Sequence, residues 1–353
     1  MRPLSRYHRG PAGSAGLTTP LSVLVSLVLL ACLFGGCAGP TARLPGVAPA
    51  RVGLPGVRIL ALDDFQGSYA EQVRQCMLQE LLAQDRYVVA EDYRTVSVQG
   101  PVQAVVRAEV RPWLEDSRTD GAATVTDHVE RTVTITRDDD TVVTKKETVD
   151  VQRTVFVPQI QRSAEVAARI TVIDPDSGRV MGSDSSTQRF DAVYGGPESV
   201  PDAREYDPDR PGIEDLPAQR FTLAQLGCDA GRELGRSLLP QAYVRKADLD
   251  IGPGEGPVEQ GAWLADQGDW EAAAAVWRGV LQLNPYDAAA LYDMGLYWEA
   301  KGTSEDFLRA RDFYAQALSL EPKTLYSSAL DRIEARLSEA GRLAAQTAPP
   351  QGQ

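Results

Sequence analysis

The sequence predicts an α/β domain followed by an all-α domain, and three observations predict it. Val57 to Ala90 reads strand, helix and strand in one continuous run. Thr124–Thr136 and Thr141–Val157 alternate Thr and Val on either side of Asp138-Asp139-Asp140, as a long hairpin with an acidic tip does. Beyond residue 257 the chain turns helical and repeats itself, with Pro285 and Pro322 lying 37 residues apart.

In chain order, the first segment reads as export. Arg2, Arg6 and Arg9 precede an uncharged apolar stretch from Leu21 to Phe34, too short for a comfortable membrane span, and then Gly35-Gly36-Cys37. A cysteine directly after two small residues resembles a bacterial lipoprotein signal. The resemblance implies a leader over 1–36 and a lipid on Cys37, the first residue of the mature chain. Cys32 offers a competing site, but apolar Leu33-Phe34 follows it, whereas Cys37 leads into Ala38-Gly39-Pro40-Thr41. The blander alternatives are an ordinary secretory signal cut nearby, or an uncleaved anchor. Ala38, where an inner-membrane lipoprotein usually carries aspartate, implies the periplasmic side of the outer membrane.

Losing the three arginines takes the formal charge from −13 to −16, which makes nucleic acid and anionic lipid poor partners. Residues 37–56, rich in Pro, Gly and Ala, read as a flexible tether. The α/β domain is expected over 57–245. Val57–Leu62 is its first strand, closed by Asp63-Asp64 and a turn at Gly67. Ser68 and Glu71 spell a capping box, and Ala70, Val73, Cys76, Met77, Leu81 and Leu82 follow at helical spacing. Tyr87–Ala90 returns as a strand, and a connection through Tyr93–Gly100 leads to a further strand at Val102–Leu114, which Asp116–Gly121 ends.

The hairpin insertion, 117–160, carries Asp127, Arg131, Lys145, Glu147 and Arg153 among its valines, so it is soluble or laid on another surface. Ser163–Ile173 and Arg179–Phe190 are strands joined by the turn Asp174-Pro175-Asp176-Ser177-Gly178. Pro, Gly and acids over 191–219 make an acidic surface loop. Thr222–Leu239 is a helix stopped by Pro240. Gly227, Gly231 and Gly235 line one stripe of it, where a neighbouring backbone can approach closely, by packing on the sheet or against another protomer. In the mature chain Cys76 and Cys228 either form a bridge or are two buried thiols.

Residues 246–257 read as a linker, 258–340 as the helical domain and 341–353 as a disordered tail. Gly268-Asp269-Trp270, Ala273, Trp277 and Pro285, then Leu291, Met294-Gly295, Trp298, Gly302, Ala310, Tyr314, Ala317 and Pro322, resemble one half and one whole tetratricopeptide (TPR) unit, with Tyr326–Leu337 as capping helix. Gln260 and Leu264 depart from the pattern in the first copy. The resemblance implies that Trp277 and Tyr314 are structural, and that Tyr292, Leu296 and Glu299 face a groove for a peptide or partner helix.

The α/β part is similar to the periplasmic domain shared by CsgG-type secretion lipoproteins and LpoB-type activators of peptidoglycan synthases. The resemblance rests on VRILALDDFQGSYAEQV…LLAQDRYVVAED and AEVAARITVIDPDSGRVMGSDSSTQRF, over roughly residues 57 to 240. It implies an α/β sandwich on a mixed sheet, no enzyme and no cofactor. A CsgG-type pore would put a membrane-spanning hairpin in the insertion and a second one after Phe190. The first position here carries charges among its valines, and the second is the Pro/Asp loop. The reading is therefore a periplasmic adaptor or activator of an envelope assembly machine, a peptidoglycan synthase first, with an oligomeric CsgG-like secretion or transport component as the alternative.

Chemistry is sparse. His128 is the mature chain's single histidine and sits in the charged hairpin, so no nucleophile and base set assembles around it, and no glycine-rich phosphate loop follows a strand. Asp63-Asp64 is the most site-like carboxylate pair, at a strand's carboxyl end, although a turn ordinarily carries such acids. Asp174, Asp176 and Gly178 resemble the start of a calcium loop without its later bidentate acid. Asp202, Glu205, Asp207, Asp209, Glu214 and Asp215 crowd one loop, to hold calcium loosely or simply to be solvated.

Overall fold

A five-stranded mixed sheet carries the α/β part of the computed structural model, which describes residues 39–90, 100–138, 141–201, 203–254 and 256–348. Two compact units divide the chain. Of the described residues, one holds 39–44 together with Arg245–Leu330, and the other holds Pro45–Val244 together with 331–348.

The sheet belongs to the second unit. β2 (Ile59–Gln66) pairs in parallel with β3 (Val88–Ala90) and with β4 (Ala104–Thr136); β5 (Val142–Ile173) runs antiparallel to both β4 and β6 (Val180–Gly195). Alternation settles the faces. Leu60, Leu62, Ala104, Val106, Ala108, Val110, Ala164, Val166, Ala168, Ile170 and Val172 point to one side and bury against the helices α1 (Ala70–Leu82) and α2 (Gln219–Ser237). The opposite face carries Ile59, Ala61 and Val105 near β3 and then turns charged, with Arg107, Glu109 and Arg169 exposed.

Asp63-Asp64 does not close β2. Leu62 pairs with Val106 and Phe65 with Ala108, so one extra residue is looped out as a bulge, and Asp64 takes a φ of 54° to accommodate it. The expected capping box is also absent. Gly67 packs so closely on Val110 that an added Cβ would meet the Val110 carbonyl oxygen at 2.1 Å. Tyr69 follows at φ 66° as N-cap, with no side-chain cap, and Glu71 is taken by Arg74 and Gln75 at 2.8–2.9 Å. The left-handed residue turns the chain into the helix, which keeps Ser68 out of the capping position.

The glycine stripe of α2 lies on α1, neither on the sheet as expected nor on another protomer: a Cβ on Gly231 would come within 2.3 Å of the Val73 carbonyl. Cys76 of α1 and Cys228 of α2 are joined in a disulfide across this contact, with Cα atoms 5.2 Å apart.

Two segments expected to be loose are built in. Thr41–Ala48 is a strand, β1, which pairs with β7 (Gln241–Asp248) in a two-stranded ribbon. Val52 and Leu54 enter the core of the second unit. Residues 349–353 lie outside the described residues, but 341–347, expected to belong to a disordered tail, are helical, because α7 (Thr324–Thr347) runs through them. Its Gln346 side chain bonds both the N–H and the carbonyl of Ala50 at 3.1 Å, Arg86 donates to the Gln346 carbonyl at 2.6 Å, and Tyr243 donates to Glu339 at 2.7 Å. Local composition does not reveal these partners, the farthest of which lies 296 residues away in sequence.

The first unit is helical. α3 (Pro257–Asp266), α4 (Trp270–Leu283), α5 (Ala288–Lys301) and α6 (Ser304–Leu320) form two pairs, followed by the start of α7. Asp269, Asp287 and Thr303 cap α4, α5 and α6 by accepting backbone N–H groups. In both pairs a glycine of the first helix makes room for an aromatic ring of the second: Gly261 for Trp277 and Gly295 for Tyr314. Among the described residues no helix is long and apolar enough to cross a membrane.

Candidate interaction surfaces

The most exposed feature of the second unit is an arm. Asp116–Gly121, expected to end a strand, is strand throughout, and β4 and β5 continue far past the sheet. Pairing to β2 stops at Glu109 and pairing to β6 stops at Gln159, while β4 and β5 pair with each other out to Thr136 and Val142. From Gly121↔Val157 to that end they make sixteen residue pairs, about 50 Å at the usual rise per residue. Asp139 and Asp140 of the expected acidic tip lie outside the described residues.

Register sorts the arm into two unlike faces. One carries Ala123, Val125, Val129, Val133 and Ile135 opposite Val155, Arg153, Val149, Lys145 and Val143. The other is a threonine ladder, with Thr124↔Thr154 and Thr134↔Thr144. The five charges expected among the valines all fall on the valine face, where Arg153 meets Asp127 at 2.9 Å and Arg131 pairs across from Glu147. At the base this face is covered. Pro197 sits on Gly121, Ala123 is fully buried, Arg204 donates to the Thr124 carbonyl, and Ala203 bridges to Val125. Farther out Val129, Ile135, Val149 and Val151 are 37–48% exposed.

One ionic staple fixes the arm's root. Arg162, buried on β5, makes a two-pronged pair with Asp116 of β4 at 2.6 and 2.8 Å, and also donates to the Pro217 carbonyl and to Thr222 at the start of α2. The Arg162 hydrogen bond holds the Asp116 carboxyl below its ordinary range, and Asp116 in turn raises Arg162. An acid in a turn-like stretch signalled neither the strand nor its buried partner 46 residues on.

The helical residues expected to contact a partner are not available to one. Tyr292, Leu296 and Glu299 are fully buried. Tyr326 of α7 stacks on Tyr292 with centroids 5.0 Å apart, Tyr292 donates to the Asp248 carbonyl, and Glu299 accepts from Tyr314 at 2.7 Å. The groove that spacing implied is filled by the last helix and by the 246–257 segment. That segment is itself fastened. The Asp250 N–H donates to Asp293, and its carboxylate accepts from Lys323 and Tyr326 at 2.8 and 2.6 Å.

The remaining candidates disperse. Asp64 accepts from the Gln66 amide, beside a shallow cleft lined by Arg107, Glu109 and Arg169. Asp174 accepts from the backbone of Asp176 and Ser177 and builds the β5–β6 turn. In the acidic loop, Asp207 and Asp215 satisfy nearby backbone N–H groups and Glu198 pairs with Arg210; Asp202 lies outside the described residues. His128 is exposed on the arm, 2.6 Å from Asp150. Among the described residues no three metal-ligating side chains converge. Cys37 and the 1–36 leader lie outside them.

No protein-family model and no curated protein matches this sequence.

Proposed function

We propose that this chain is a non-enzymatic lipoprotein, held by a lipid on Cys37 at the periplasmic face of the outer membrane, which serves an envelope assembly machine as adaptor or activator. The single observation that carries this reading is the arm, a two-faced ribbon rooted by the Arg162–Asp116 ion pair and presenting exposed valines interspersed with charges far from the sheet. A two-stranded ribbon alone in water is marginal, so such a surface is best explained by a protein that covers it.

The mixed sheet with two helices on one face agrees with the resemblance to CsgG- and LpoB-type domains. The repeated glycine-to-aromatic contact, Gly261 with Trp277 and Gly295 with Tyr314, supports a tetratricopeptide pair. Because Tyr292, Leu296 and Glu299 are buried, the helical pair acts as scaffold in this reading, and the arm does the recognition.

A peptidoglycan synthase is the first partner proposed. The test adds the purified mature protein to such a synthase and follows glycan polymerisation, beside a variant whose arm is cut between Thr126 and Gln152 and closed by a tight turn. Stimulation that the cut variant lacks supports the reading, and equal rates with and without either protein remove it. A second reading, an oligomeric secretion or transport component, is favoured by the arm's length and by its outer edges beyond Val125, which suit strand pairing between copies. Charges on the valine face weigh against a lipid-facing band.

A further inference from the structure

We infer that the helical unit lies directly on the bilayer surface, with Trp263 at the headgroup level; this rests on the proposed lipid at Cys37 and deepens it. The argument is one of reach. The chain is already fixed at Pro40, whose carbonyl accepts from the Leu249 N–H at 3.1 Å, and at Thr41, whose N–H and hydroxyl both donate to Asp266 at 2.9 and 3.3 Å. Ala42 and Leu44 follow, fully buried. Three residue steps separate Cys37 from Pro40, which span about 10 Å at full extension. A lipid-bearing Cys37 therefore leaves no spacer, and the surface around Pro40 meets the headgroups.

The side chains beside that attachment suit the position. Trp263 lies one helical turn before Asp266 on α3 and is 42% exposed, and Ile251, two residues beyond Leu249, is 36% exposed. An indole with an apolar body and a polar N–H is favoured at a membrane interface. Trp263 keeps its N–H toward Glu259 at 3.4 Å and leaves the ring outward. The occupant of this patch is the surface of a zwitterionic bilayer, since an acidic chain gains nothing from anionic headgroups.

The experiment uses the lipidated full-length mature protein in phosphatidylcholine vesicles whose acyl chains carry bromine, which quenches nearby tryptophan. Wild type is expected to be quenched, and Trp263→Phe is expected to lose the greater part of that quenching. A flexible Gly/Ser insert of about 20 residues after Ala38, reaching about 25 Å, is expected to abolish it while the lipid stays on Cys37. Quenching that is absent in lipidated wild type, equal in Trp263→Phe, or unchanged by the insert overturns the inference. The mass of the N-terminal peptide separates the two failures, because an unmodified Cys37 removes the underlying reading and a lipid-bearing Cys37 without quenching removes only this placement.

Discussion

Arg162 shows what a single side chain contributes here. It is 2% exposed, and its charge is met by Asp116, the Pro217 carbonyl and Thr222, so removing the partly exposed Asp116 leaves a buried charge without its counter-ion. Asp116→Ala is expected to cost about 3 kcal/mol, read as a lower denaturant midpoint. The exposed pairs along the arm, such as Lys146 with Glu130, contribute under about 1 kcal/mol each, and their removal is expected to leave that midpoint nearly unchanged.

Asp293 and Asp250 give the helical unit two opposed pH limbs. Burial raises Asp293 well above the carboxylate range, and the nearby Asp250 and Asp287 charges add to it, opposed by the Asp250 N–H and Lys323. Its folded pKa exceeds its unfolded one, so its stabilising contribution is complete below the unfolded value and is lost as pH rises through the folded one. Burial also pulls Asp250 upward, but Lys323, Tyr326 and the Gly252 N–H outweigh it and leave it lowered. Its contribution is present above the unfolded value and lost as pH falls through the folded one. Asp293→Asn is therefore expected to flatten the fall in thermal midpoint as pH rises above the ordinary carboxylate range, with the acid limb retained. An unchanged slope would refute the assignment.

At the scale of elements, α1 and α2 are held together by glycine contact and by the Cys76–Cys228 bridge, which closes a loop of 152 residues. Reduction is expected to lower stability by about 2–4 kcal/mol, measured by urea unfolding with and without dithiothreitol. The arm behaves differently. Val149→Thr with Val151→Thr, both exposed and both keeping a strand-forming residue, is expected to shift stability by no more than about 0.5 kcal/mol while weakening stimulation of the partner. Loss of folding in that variant would mean that the stripe is core.

Helix faces, strand alternation and the two helix pairs could be read from local spacing, because burial repeats every two residues or every three to four. Features fixed at long range could not. The bulge at Asp63-Asp64, the continuity of β4 through Asp116–Gly121, the ordered 41–56 segment and the burial of Tyr292 all depend on partners tens to hundreds of residues away. The arm's hairpin was legible while its root was not, since nothing local to Asp116 announces Arg162.

The whole molecule, in the reading proposed above, combines an N-terminus anchored by lipid, a helical scaffold and an α/β unit that carries the arm. The two readings of that arm differ in stoichiometry. An adaptor needs one or two copies, whereas strand pairing between copies closes into a ring. Native mass spectrometry of the protein extracted from membranes in mild detergent, with the mass of its N-terminal peptide, tests this most directly. A monomer or dimer with lipid on Cys37 is the predicted result. A ring of many subunits, or an unmodified Cys37, would contradict the account.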